Sequence, residues 1–290
     1  MIRIFTLVLN FVLVVMIWSG IKAQTQSKKF DFGKYEYTGT AIEQAQFLLR
    51  NNFMGQVDNV GAKLPNGLLN KIGIGVNIEK KALEKYLIDN GIQPKDIGGS
   101  LNNDLSYISH RGQKKIAKYF VIHDVSYPSY KYVFPANIDS PSWNYNILMS
   151  WKDTVSHIYI TRTGHSKTMV DLSKGYRATK FESKVLGRKS KGLFIHVELV
   201  QPRVYPPGTY KTAPLAPTPA FTVQQYRRLA LIYLAASFRK GEWMIPAYHA
   251  CIDEGLSDGH DDPQKFNLQM FSDLLDEILN NLNQLSNDKT

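Results

Sequence analysis

Gly192-Leu-Phe-Ile-His196-Val-Glu198-Leu-Val200 is the stretch that decides the fold of this chain. Apart from His196 and Glu198 it is an unbroken apolar run, and a proline-rich segment over 201–219 follows it. Short apolar runs of this kind are typical of strands that are buried on both faces of a parallel sheet. The run therefore predicts a central strand, in which a carboxylate is costly unless it has a partner or a chemical role.

Other strand-like and helix-like segments alternate around this run. Apolar runs predict further strands over 119–122, 155–164 and 243–248. Thr222 and Gln225 form a capping box ahead of a predicted helix that extends to about residue 238. This alternation of strands and helices predicts an α/β fold.

The last predicted helix carries apolar residues from Phe271 to Leu285 at alternating spacings of four and three. Such spacing fits a coiled-coil seam, but two heptads are short, and packing on the protein's own sheet is favoured.

Residues 24–110 are predicted to form an additional N-terminal region that is distinct from a main domain over 111–290. Thr40 and Glu43 form a capping box ahead of a helix predicted over 41–53, and a second helix is predicted over 79–90. Three roles stay open for this region: positioning the main domain, shielding a cleft, or extending the fold.

The N-terminus resembles an export signal. Arg3 precedes an apolar run over 4–20, and Ile21-Lys-Ala23 then leads into polar sequence. This pattern predicts a signal peptide over 1–23 and a secreted or periplasmic protein, with an uncleaved anchor as the alternative. No second long apolar run occurs in the sequence, so we expect no stable membrane span after cleavage. The lone cysteine, Cys251, excludes an intramolecular disulfide.

The formal charge is +10, from 35 basic and 25 acidic residues. Loss of residues 1–23 would remove Arg3 and Lys22 and leave +8. A basic exported protein suits an anionic polymer such as cell wall, although charge also serves solubility. Nucleic acid is not an expected partner, because the basic residues are scattered and the chain is predicted to be exported.

Two histidines follow predicted strands, His123 and His249, and the second opens a stretch that is rich in ligand-forming groups. That stretch reads His249-Ala-Cys-Ile-Asp-Glu-Gly-Leu-Ser-Asp-Gly-His260-Asp-Asp262-Pro263. Two histidines and one aspartate make a three-ligand set for Zn²⁺, and a vacant fourth position is the mark of a catalytic site. Asp262 could supply the third ligand, and so could its neighbours Asp261 and His260.

Five segments occur in the order found in type 2 N-acetylmuramoyl-L-alanine amidases, whose fold is shared with peptidoglycan recognition proteins. The resemblance covers about residues 111–285 and implies a mixed α+β fold, in which a central mixed sheet is flanked by helices. The five segments are Tyr119-Phe-Val-Ile-His123, Val155-Ser-His157-Ile-Tyr-Ile-Thr-Arg-Thr-Gly164, Phe194-Ile-His-Val-Glu198-Leu-Val200, Phe221-Thr-Val-Gln-Gln225-Tyr-Arg-Arg-Leu229, and Ala247-Tyr-His249 with Asp262-Pro263.

The resemblance implies zinc ligands at His123, His249 and Asp262. Glu198 matches the family's acid and would act as general base, with a salt bridge to Arg203 as the alternative. The family often has lysine two positions before the aspartate, where this chain has His260. We expect His260 to stabilise an oxyanion, although it could also bind the metal.

Three other side chains have alternatives open. His157 matches a family histidine that either contacts substrate or is purely structural. His196 is expected to be a core histidine or a partner of a ligand, and Cys251 a small buried residue. Aromatic residues within 127–145 or 205–211 are expected beside the cleft.

The implied reaction is hydrolysis of the amide between N-acetylmuramic acid and L-alanine in peptidoglycan or muropeptides. Three other functions stay open. The first is a non-catalytic peptidoglycan-binding recognition module, and the second is a zinc peptidase that cuts the stem peptide. The third is an interaction protein whose main role lies in residues 24–110.

Overall fold

The computed structural model describes residues 29–205 and 215–287, so the predicted signal peptide at 1–23 lies outside the described residues. The strands in these ranges are β1 (Phe30–Asp31), β2 (Glu36–Tyr37), β3 (Asn52–Phe53), β4 (Gln56–Val57), β5 (Tyr107–His110), β6 (Gln113–Ile116), β7 (Tyr119–Asp124), β8 (Ser129–Tyr130), β9 (Ile158–Ile160), β10 (Ser166–Thr168), β11 (Phe194–Leu199), β12 (Arg203–Val204) and β13 (Ile245–Tyr248). The α-helices are α1 (Ala41–Leu48), α2 (Asn66–Leu69), α3 (Lys80–Asp89), α4 (Val223–Lys240), α5 (His249–Ile252) and α6 (Leu268–Asn287). No helix within the described ranges is long and apolar enough to cross a membrane.

The central sheet has five strands in the order β10-β9-β11-β7-β13. β10 is antiparallel to β9, and the other neighbours are parallel, so the sheet is mixed as predicted. β11 is the middle strand and all six of its residues are buried. Its apolar composition follows from this position, because helices and loops cover both faces of a parallel strand.

The sheet brings the site residues to one edge. Glu198 lies directly opposite His123 in the register of β11 and β7. Tyr248 pairs with Ile122, so His249 leaves β13 at the same level. The carboxyl ends of parallel strands meet at one edge of a sheet, and this edge is where such folds form their sites.

Helix α4 begins with the predicted capping box between Thr222 and Gln225 and ends at Gly241, whose φ of 78° favours glycine. α6 buries Phe271 and Ile278. However, α6 packs mainly against α4, α3 and α2, which corrects the prediction that it packs on the sheet. The sheet face beneath is already covered by α4, so the apolar side of α6 is buried between helices.

The N-terminal region shares the core of the main domain. One cluster of buried apolar residues runs from Phe30 to Leu282 and includes Leu48 of α1, which packs against β13 and α5. The predicted boundary between residues 110 and 111 falls in the turn of the β5–β6 hairpin. Within the described residues, the region therefore extends the fold and has no core of its own.

Three predicted boundaries differ from the structure. α1 ends at Leu48 rather than near residue 53, because the next residues form the β3–β4 hairpin. The strand predicted over 155–164 forms only β9, and the chain then turns into antiparallel β10. The proline-rich loop predicted over 201–219 contains β12, which pairs with β8, and its residues 206–214 lie outside the described ranges.

Candidate metal centre

Three side chains converge at the edge of the sheet. His123 Nδ1 lies 2.8 Å from His249 Nδ1, and His249 Nδ1 lies 3.0 Å from Asp262 Oδ1. Asp262 Oδ2 lies 3.6 Å from His123 Nδ1. All three side chains are at most 3% exposed. This buried group could hold a metal ion, and it consists of the three ligands predicted from the sequence.

The donor set and its spacing fit a small divalent cation. Bonds of about 2.0 Å in a tetrahedral site place ligand atoms roughly 3.3 Å apart, close to the spacing of these three atoms. A cation between two facing imidazole nitrogens and a carboxylate satisfies all three of these buried groups. Three protein ligands also leave one position open for a further molecule.

The charges of the cluster are strongly coupled. Burial and the neighbouring His249 hold the pKa of His123 well below its ordinary value. Burial also acts against a charged His249, but Asp262 and Asp253 outweigh it and raise the pKa of His249 well above its ordinary value. The same attraction outweighs burial at Asp262 and keeps the pKa of its carboxyl well below the ordinary range. The cluster therefore favours an anionic aspartate that faces positive charge.

The structure separates Asp262 from its two sequence neighbours. Asp261 accepts a hydrogen bond from Gln264 Nε2 at 2.6 Å and is not in the cluster. The His260 side chain is 52% exposed, its ring centroid lies 4.3 Å from that of His249, and its Nδ1 lies 3.5 Å from Asp262 Oδ1. His260 therefore lies beside the ligand group and faces the cleft.

Asp124 holds the Asp262 segment in place, a role that the sequence analysis did not assign. The Asp124 backbone N–H donates to Asp262 Oδ2 at 3.0 Å, and the Gln264 N–H donates to Asp124 Oδ2 at 2.9 Å. Arg203 Nη2 donates to both oxygens of Asp124 at 2.7 Å. Arg203, weighed as a partner for Glu198, thus pairs with Asp124 instead. The available sequence signal was an aspartate directly after His123.

Glu198 lies next to the ligands without a strong partner. Its carboxylate is 9% exposed, and Oε1 lies 3.7 Å from His123 Nδ1. Oε2 has no hydrogen-bond partner among the described residues. Burial, with a contribution from Asp262, raises the pKa of Glu198 well above its ordinary value. A carboxyl group with this environment is suited to exchange a proton.

The outer ring nitrogens of both ligand histidines are also engaged. His123 Nε2 lies 3.0 Å from His196 Nδ1, and His249 Nε2 lies 2.9 Å from Asp253 Oδ2. Of the two roles expected for His196, this contact favours that of a partner of His123 over that of a core histidine. Contacts of this kind fix the ring orientation and tautomer of a metal-binding histidine.

His157 is fully buried, and the protein backbone engages both of its ring nitrogens. Nε2–H donates to the Lys174 carbonyl at 3.1 Å, and Nδ1 accepts from the His196 backbone N–H at 3.0 Å. Burial and then the neighbouring His196 lower the pKa of His157 to about 3. Of the two roles considered for His157, this position favours the structural one over substrate contact.

Cys251 is fully buried, as predicted, and its Sγ contacts the Arg50 carbonyl oxygen at 3.3 Å. Burial raises the pKa of this thiol to about 12. It is outside the ligand group.

An open cleft of about 710 Å³ leads to this centre. Glu198, Asp262 and His260 line it. Four aromatic residues also line it, Tyr127, Tyr145, Trp151 and Tyr159, together with Lys152. The expectation of aromatic residues beside the cleft within 127–145 is confirmed, whereas 206–211 of the second expected segment lie outside the described residues. Trp151 and Tyr159 were not anticipated for this role.

Comparison of the chain with protein-family models, with curated proteins and with solved structures found no match. The resemblance to the type 2 amidases therefore stays a prediction, carried by the five sequence segments.

Proposed function

We propose that this chain is a zinc-dependent N-acetylmuramoyl-L-alanine amidase, exported to act on peptidoglycan or muropeptides. The observation that carries the proposal is the convergence of His123, His249 and Asp262 beside Glu198, at the base of an open cleft. Its reaction is hydrolysis of the amide between the lactyl group of N-acetylmuramic acid and L-alanine.

His123, His249 and Asp262 would hold the zinc ion. When bound, Zn²⁺ supplies Lewis acidity, which polarises an amide carbonyl and lowers the pKa of a water molecule. Two imidazoles and one carboxylate also suit Fe²⁺, so analysis of the bound metal is part of the test.

Glu198 takes the proton from the attacking water and passes it to the leaving amine nitrogen. Its raised pKa and unpaired Oε2 support this role, because a general base must gain and release a proton near neutral pH. His260 donates a hydrogen bond to the oxyanion that develops on the carbonyl. Its position at the cleft, next to His249, supports this role.

The aromatic walls of the cleft bind the sugar and the stem peptide. Tyr127 and Tyr145 meet edge to face with ring centroids 5.2 Å apart, and Trp151 stacks on Tyr159 at 4.9 Å. Flat apolar rings with polar edges suit a saccharide, which has apolar C–H faces between its hydroxyl groups.

The test compares wild-type protein with His123→Ala, first by metal analysis and then by mass spectrometry of peptidoglycan incubated with each protein. We expect one zinc per chain, lost in the variant, and stem peptides with a free L-alanine N-terminus from wild type only. Zinc without products would favour the recognition module. Fragments cut within the stem peptide would favour the peptidase, and iron in place of zinc would contradict the metal assignment.

A further inference from the structure

One turn of the chain lies behind both ligand histidines. It spans 178–182 and leads into a π-helical segment, Phe181–Leu186. Glu182 is fully buried in this turn and accepts hydrogen bonds from the Thr179 N–H at 3.2 Å and the Thr179 hydroxyl at 3.1 Å. Glu182 Oε2 also lies 3.0 Å from His196 Nε2. Irregular helical turns of this type often occur at functional sites.

The same turn holds the carboxylate behind the second ligand. Asp253 accepts hydrogen bonds from the backbone N–H of Lys180 at 3.1 Å and of Phe181 at 2.9 Å. Its Oδ2 lies 2.9 Å from His249 Nε2. One backbone segment therefore carries Glu182, which contacts His196 behind His123, and also holds Asp253, which contacts His249 directly.

The positions of the protons follow from the ligand atoms. A nitrogen that binds a metal carries no proton, so His123 carries its proton on Nε2 and donates it to His196 Nδ1. His196 must then carry its own proton on Nε2, the atom that faces Glu182. This last contact is close but lacks hydrogen-bond alignment, and Glu182 Oε1 has no partner among the described residues, so the link is electrostatic.

We propose that the turn over 178–182 orients both metal ligands, with Glu182 acting through His196 on His123 and Asp253 acting directly on His249. Glu182, His196 and Asp253 are positioning residues, and the inference rests on the metal site of the proposed function. A fully buried carboxylate with one oxygen unpaired is costly to keep. Orienting a ligand histidine explains why a carboxylate is present at position 182, and packing alone does not explain it.

The test is zinc affinity, measured by competition with a chelator, for wild type, Glu182→Gln and Asp253→Asn. We expect each variant to bind zinc 10- to 100-fold more weakly, the usual cost of losing an outer partner of a ligand. The visible spectrum of the Co²⁺-loaded protein should also change in each variant, because the ligand geometry changes. Glu254→Gln is the matched control: Glu254 is a buried carboxylate paired with Arg50 at 2.5 Å, and it has no contact with a ligand histidine.

A second measurement does not depend on the folding of any variant. In zinc-loaded wild type, nitrogen NMR should show His196 as the Nε2–H tautomer, and the opposite tautomer would overturn the inference. Equal zinc affinity in wild type and Glu182→Gln would also overturn it and leave the proposed amidase standing. If wild type binds zinc but cleaves no amide, the proposed function fails, and the affinities still decide the inference. Wild type without metal affinity would contradict both.

Discussion

Arg203 donates through Nη2 to both carboxylate oxygens of Asp124, at 2.7 Å each, and both side chains are buried. The pair lies behind the segment that carries Asp262, because Asp124 also bonds to the Asp262 side chain and the Gln264 N–H. In the described part of the chain, this pairing leaves Glu198 with His123 as its nearest basic partner. A charge that sequence reasoning considered as the partner of Glu198 instead holds the Asp262 segment in place.

Arg203→Gln should destabilise the protein by about 3–5 kcal/mol, because it leaves the buried Asp124 carboxylate without its cation. Urea unfolding of the metal-free protein measures this change. Arg227→Gln provides the control, since Arg227 pairs with Glu277 on the surface, where such a pair contributes about 0–1 kcal/mol. Equal losses in the two variants would show that the buried pair has no special role.

The Glu198→Gln variant should keep its metal but turn over about 10²- to 10⁴-fold more slowly, because the glutamine side chain cannot take a proton from water. Metal content and the rate of amide cleavage are measured on the same sample. The side chain keeps its size, so the unfolding midpoint serves as a control for packing. Cleavage at the wild-type rate would remove Glu198 from the reaction.

His260→Ala should retain the metal and reduce turnover by about 10²- to 10³-fold, the usual cost of losing one oxyanion donor. His260→Lys should recover part of this activity, because an ammonium also donates to an oxyanion. The comparison uses initial rates and metal analysis of both variants. Loss of metal from His260→Ala would instead assign His260 as a ligand.

Tyr127→Ala should raise KM by about 10-fold and leave kcat within a few-fold, because Tyr127 lines the outer cleft and is 50% exposed. The expected change corresponds to about 1.4 kcal/mol of binding free energy. Tyr132→Ala is the matched control, an exposed tyrosine on the other side of β8 that does not line the cleft. A similar KM in both variants would place substrate elsewhere.

His157 should make stability fall in acid. Its pKa is about 3 in the folded protein and about 6.5 in the unfolded chain. Between these two values the unfolded chain therefore binds a proton at His157 that the folded protein does not bind. The contribution of His157 to the free energy of unfolding is complete above pH 6.5. It decreases as the pH falls, by up to about 1.4 kcal/mol per pH unit.

The check is urea unfolding of the metal-free protein between pH 7 and pH 4.5. His157→Gln should show a shallower loss than wild type, because its amide does not titrate. Parallel curves for the two proteins would contradict the assigned pKa shift.

Much of the fold could be predicted because it is encoded over short distances. The capping boxes at Thr40 and Thr222 are contacts between residues three positions apart, and both are present. The apolar run of β11 predicted a central strand, because a strand buried on both faces needs apolar side chains throughout. His123 and His249 could be named in advance because each lies at the carboxyl end of one of two neighbouring parallel strands, β7 and β13.

Only the tertiary structure decided which groups meet across the chain. The pairing of Arg203 with Asp124, the burial of α6 between helices, and the approach of Glu182 to His196 join residues that no periodicity relates. The sequence by itself determined the buried central strand, the two helix caps and the residue types of the candidate metal centre, since these depend on local geometry and burial. The contacts that orient these residues and shift their pKa values come from segments far apart in the sequence. They exist only once the chain has folded.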